Sequence, residues 1–211
     1  MKRHQRSTRR KGVAMIEFAF SCAILIPLLL GAFVFGFRLI HSLEMEQVVR
    51  DLGHMYIRGV DFRNAGPQAN ARTLASSFDL SASGTSVVVI SKIRVVTQAD
   101  CDANNPSPGI ACANLGNPVF VEQLMLGNTN LLVNGVNSSR SAFGTPPLTA
   151  NYTVSSANQA NNGAAAAAGF APVLALNPGE FAYVVEMVNA TPDLNIPGLA
   201  GAPQVYARAI F

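Results

Sequence analysis

The stretch that most constrains this chain is VAMIEFAFSCAILIPLLLGAFVFGF, residues 13–37, in which 25 residues hold one charged side chain, Glu17. A helix rises about 1.5 Å per residue and about 20 apolar residues cross the hydrocarbon core of a bilayer, so the length suffices for a transmembrane helix. A core helix of a soluble protein seldom stays apolar on every face over such a length. Six of the fifteen Lys and Arg precede the stretch, namely Lys2, Arg3, Arg6, Arg9, Arg10 and Lys11, and no acidic residue accompanies them. By the positive-inside tendency this basic leader, residues 1–12, stays cytoplasmic and the body lies outside. An ordinary secretory signal is the competing reading; its apolar region would be unusually long, and no clear A-x-A cleavage site follows. Beyond the leader, nine basic and twelve acidic side chains give residues 13–211 a net charge of −3. The overall +3 therefore describes the leader, and nothing points to nucleic acid as a partner.

Residues 38–62 continue the helical period without a breaker. Leu39, Ile40, Leu43, Met45, Val48, Val49, Leu52, Met55, Tyr56 and Val60 recur at steps of three and four, with Glu44, Glu46, Arg50, Asp51 and Arg58 on the other faces. The expectation is one helix to about Val60, apolar all round in its first half and amphipathic in its second, kinked at Pro27. A short helix is expected over residues 68–78, with Pro67 suited to its first turn. The period then changes: residues 87–96, 118–126, 180–188 and 204–211 read as strands. The expected fold class is therefore α+β. A long N-terminal helix packs its amphipathic half on a small antiparallel sheet domain, residues 63–211. Residues 127–169, rich in Asn, Ala and Gly, read as long loops with little fixed structure, in which the alanine run 164–168 could form a short helix. The N-x-S/T triplets at Asn137, Asn151 and Asn189 fall in an Asn-rich background and carry no argument.

Cys22 lies inside the apolar stretch, where it reads as a small buried hydrophobe. Cys101 and Cys112 bracket a run of turn residues, and in an exported domain a disulfide is the natural reading. No His or second Cys pair stands at ligand spacing, so a metal site is not expected. His4, His41 and His54 are in the leader and on the long helix. No nucleophile–base pattern, Walker loop, G-x-G-x-x-G or H-E-x-x-H occurs, so neither catalysis nor a cofactor is expected.

The remaining chemistry is concentrated at RRKGVAMIEF, residues 9–18. A basic leader, Gly12, then an apolar helix with Glu17 five residues on and Phe18 next resembles a type IV prepilin signal. Over residues 10–45 the segment is similar to the N-terminus of TadE-like proteins, the minor pilins or pseudopilins of the tight-adherence (Tad/Flp) pilus. That resemblance implies a type IV pilin-like fold and cleavage by a prepilin peptidase between Gly12 and Val13. It further implies an assembly contact at Glu17 and Phe18, with other pilins or pseudopilins and the pilus assembly platform as partners. It places the chain in the bacterial inner membrane as a single-pass protein, with incorporation in an adhesive pilus a further expectation. The physical logic stands beside the name. Glycine lets a peptidase draw the backbone close, and cleavage would create an α-amino group at Val13, positively charged at neutral pH. A carboxylate in hydrocarbon needs a partner, and a neighbouring subunit's amine supplies one. Two alternatives stay open: an uncleaved single-pass membrane protein with an exported binding domain, and a type II secretion pseudopilin.

Overall fold

The structure is a computed structural model and describes residues 5–105, 107–131, 141–190 and 204–211. Lys2, Arg3 and His4 of the leader lie outside the described residues, as does the triplet at Asn137. The element order is α1 (Gln5–Ile57), α2 (Ala65–Leu74), β1 (Ser86–Val95), α3 (Gln98–Asn104), β2 (Pro118–Gly127), α4 (Ser156–Asn161), a 3-10 turn at Gly163–Ala165, β3 (Phe181–Ala190) and β4 (Gln204–Ile210). The chain forms two compact units, residues 1–41 and 42–211.

In the first unit α1 runs through Pro27. Its side chains are exposed around the whole circumference: Phe18 is 72% exposed, Ile24 70%, Leu28 70% and Phe35 72%. This helix is long and apolar enough to cross a membrane.

In the second unit the same sequence of turns becomes one-sided. Met45, Val48, Val49 and Leu52 form an i, i+3, i+4, i+7 stripe that is buried, while Glu46 and Arg50 stay outside as an i,i+4 pair. The helix stops at Ile57, short of the expected Val60. Gly59 takes φ +83°, the Val60 N–H bonds back to the Met55 carbonyl and the Gly59 N–H to that of Tyr56, a Schellman-type closure that glycine permits.

The four strands form one antiparallel sheet in the order β2-β1-β3-β4. Alternation along the strands creates two faces. Val88, Ile90, Leu124, Leu126, Val185, Met187 and Ala207 meet the α1 stripe together with Phe62, Ala71, Ala75 and Phe78, forming the larger core. On the opposite face Ile93, Phe120, Ala182 and Val184 are covered by Phe143, Val154, Ala165, Ala167 and Phe170. Fully burying one such large side chain contributes about 1.5–3 kcal/mol. A sheet with β-branched residues on both faces needs both covers.

That second cover corrects the expectation for the described part of 127–169; residues 132–140 lie outside the described residues. Residues 141–170 pack against the sheet: Phe143 and Phe170 meet edge to face at 5.1 Å, and the Val154 and Ala167 N–H groups bond to the Val121 and Pro118 carbonyls on the outer edge of β2. The alanine run supplies one 3-10 turn, then Ala166 bridges Val119 in extended form. α2 starts three residues earlier and ends four residues earlier than expected; Asn64 stands at its N-cap with extended φ and ψ, and its side chain makes no capping bond.

Candidate functional site

Gly12, Val13, Glu17 and Phe18 all lie on α1. Gly12 has open space where a side chain would project. Val13 is 55% and Phe18 72% exposed, and Glu17 is exposed as well. Val13 and Glu17 are four residues apart and so share a helix face. The helix thus presents the glycine, the valine and the carboxylate on an uncovered surface. The Gly12–Val13 bond lies inside a helical run that begins at Gln5. An extended-chain protease would have to unwind this turn, and a glycine lowers the cost of doing so, because it weakens a helix by about 1 kcal/mol relative to alanine.

Cys101 and Cys112 are joined by a disulfide with a Cα separation of 5.2 Å, and Cys22 carries no bond to either. Cys101 sits in α3 rather than in a loop. Thr97 accepts from the Asp100 N–H while the Asp100 carboxylate accepts from the Thr97 N–H, a capping box that starts the helix. The T-x-x-D spacing was the sequence signal for it. Arg94 closes an ion pair of 2.8 Å on Asp100 and also donates to Gln159 of α4. Burial pushes the Asp100 carboxyl up, but the Thr97 donors and Arg94 outweigh it and hold the group below its ordinary value.

Tertiary folding creates two further polar constellations from residues far apart in sequence. In a narrow cleft where α1 ends over β2, the Tyr56 hydroxyl donates to the Glu122 carboxylate, and Asp61, Arg63 and Tyr152 form the rim. Burial, then the Glu122 contact, raise the Tyr56 phenol well above its ordinary value. Tyr152 holds φ +61°, unusual for a bulky residue. On the sheet's other face Glu186 is fully buried. Its Oε1 accepts from the Ala142 N–H at 2.9 Å and from the Tyr206 hydroxyl at 2.7 Å, while Oε2 has no partner. Glu186 therefore fastens the covering segment to the sheet. No periodicity or motif marks either constellation in the sequence. Among the described residues no group of three or more His, Cys, Asp or Glu is placed to hold a metal ion.

Fold and site together define a class: an α+β chain whose first helix is long and apolar enough to cross a membrane, with a sheet domain covered on both faces. No protein-family model, curated protein or solved structure matches this chain.

Proposed function

We propose that the chain is a TadE-like minor pilin or pseudopilin, inserted in the bacterial inner membrane as a single-pass protein with its N-terminus cytoplasmic. In this reading a prepilin peptidase cuts after Gly12, and the protein then contributes to assembly of an adhesive Tad/Flp-type pilus. The observation that carries the proposal is the order along α1: an uncovered glycine, then Val13, Glu17 and Phe18 on an exposed apolar helix, behind a cluster of bases. The new Val13 amine and a Glu17 carboxylate on a neighbouring subunit would pair, which relieves the cost of each in an apolar contact between helices. A sheet domain with a disulfide gives the subunit a folded body beyond the helix, as suits a tip, initiation or assembly subunit.

Intact mass of the protein from a host carrying its matching peptidase tests the first step. A chain beginning at Val13 is expected, and one still beginning at Met1 would remove the prepilin reading. Glu17→Ala should leave cleavage intact and impair piliation; wild-type piliation would remove the role given to the carboxylate.

One observation favours a second reading. The Gly12–Val13 bond is helical, which suits an uncleaved single-pass anchor for an exported binding domain. The same mass measurement separates the two.

A further inference from the structure

The first unit also fixes where along α1 a bilayer would sit, and this inference rests on the membrane reading of that helix. From Phe18 to Phe37 there are 20 residues with no charged side chain, and the residues immediately outside are Glu17 and Arg38. At helical rise this window measures about 30 Å, the thickness of a hydrocarbon core. Its surface is uncovered on all sides, with Phe20 69%, Leu25 63%, Leu29 51% and Phe33 57% exposed. Pro27 falls at the middle of the window.

Two frames compete. A span starting at Val13 would end near Phe33; it would draw Glu17 about one turn into hydrocarbon and leave Phe35 and Phe37, 72% and 52% exposed, to water. A span from Phe18 to Phe37 buries no charge and covers both phenylalanines. Both differences favour the second frame, because an ionised carboxylate is costly in hydrocarbon and an aromatic ring gains by entering it.

We propose that the Phe18–Phe37 surface is a lipid-facing sleeve, and that Glu17 and Arg38 are register stops at the inner and outer headgroup levels of a phospholipid bilayer. Charge complementarity supports this occupant. Arg38 falls at the level of the outer phosphates, and on the inner side the leader's Arg9, Arg10 and Lys11 precede Glu17. The stops have a consequence for assembly. At rest Glu17 is hydrated and needs no partner. An outward shift of one to two helical turns, about 5–11 Å, would carry Glu17 into hydrocarbon and lift Arg38 off the phosphates. The demand for a neighbour's amine thus arises on extraction, and the carboxylate restrains a subunit that has no neighbour to meet it.

The test is a nitroxide scan of the full, uncleaved chain in phosphatidylethanolamine–phosphatidylglycerol vesicles. The background is Cys22→Ser, with single cysteines introduced by Ile16→Cys, Phe18→Cys, Ile26→Cys, Leu28→Cys, Phe37→Cys and Leu39→Cys. Collision rates with oxygen and with a water-soluble nickel chelate report depth. The greatest depth is expected at Ile26 and Leu28, with equal depths at Phe18 and Phe37 and chelate access at Ile16 and Leu39. Adding Glu17→Leu should move the depth maximum two to three residues toward the N-terminus, since the apolar run then begins at Val13. A maximum near Cys22 with Phe37 open to the chelate would overturn the register, and an unmoved maximum in Glu17→Leu would overturn the stop. Low oxygen access with spin–spin broadening would show a second helix seated in the groove over Ala32 and Gly36, and would overturn the lipid sleeve. Chelate access at every position would remove the membrane reading itself. Cleavage after Gly12 plays no part in the scan, so failure of the register or of the stop leaves the prepilin reading standing; only chelate access at every position would remove both.

Discussion

Replacing Gly53 by alanine would put a methyl carbon 2.1 Å from Cε2, 2.7 Å from Cζ and 2.9 Å from Cδ2 of the Phe211 ring. The ring lies across α1 at this glycine, with its centroid 5.0 Å from that of His54. It cannot retreat by moving its backbone freely, because Phe211 and Tyr183 exchange both N–H to carbonyl bonds, at 3.0 and 2.9 Å. The ring must therefore swing off the helix and give up its contacts. Overpacking of this kind costs about 1–3 kcal/mol, against which alanine's better helix propensity returns about 1 kcal/mol. The net expectation for Gly53→Ala is a loss of about 0–2 kcal/mol. The sharper prediction is a change of sign. In a Phe211→Ala background the obstacle is gone, and Gly53→Ala should stabilise by about 1 kcal/mol. Thermal unfolding of the full chain in detergent, followed by circular dichroism, reads this as midpoint shifts of about 2–4 °C per kcal/mol. If Gly53→Ala raised the midpoint equally in both backgrounds, the reasoning from the Phe211 contact would be wrong.

Two further perturbations follow from the polar contacts. Asp100→Asn breaks both the Arg94 ion pair and the charged half of the capping box, and should cost on the order of 1 kcal/mol. Because the folded carboxyl is held below its ordinary value, its contribution is complete above a pH of about 4 and is lost as pH falls through the lower folded value. Acid titration of the unfolding midpoint should therefore fall less steeply below pH about 4 in Asp100→Asn than in the native chain, and identical slopes would refute the assignment. Glu186→Ala strands the Ala142 N–H and the Tyr206 hydroxyl, at about 1–3 kcal/mol each. Glu186→Gln keeps one acceptor for both, so its midpoint should fall distinctly less; equal losses would show that the carboxylate does not fasten the covering segment.

Local chemistry explains what was legible and what was not. α1 and the four strands could be read because burial imposes a period of 3.6 or 2 on large apolar residues, and VVVISKIRVV or EFAYVVEMV has few other uses. The expected boundaries of these elements moved by only a few residues, and at the end of α1 the shift traces to the closure at Gly59. Segment 141–170 gave no such pattern. Its buried residues mix types without a period: Ala160, Ala165 and Ala167, the polar Ser141 and Gln159, and Phe143, Val154 and Phe170 set far apart. These residues are inside because the sheet's second face lies above them.

By itself the sequence determined the features that depend on neighbours along one helix. These are the apolar length, the basic leader, the order Gly12, Val13, Glu17 and Phe18, and the charge-free window between Glu17 and Arg38. Helical spacing converts each of them directly into distance. Only the tertiary structure decided that Gly53 lies under the Phe211 ring, which carboxylate is buried in the sheet, and that Tyr56 meets Glu122 across 66 residues. Those contacts join segments remote in sequence, where the strength of an interaction depends on burial and approach that no local period encodes.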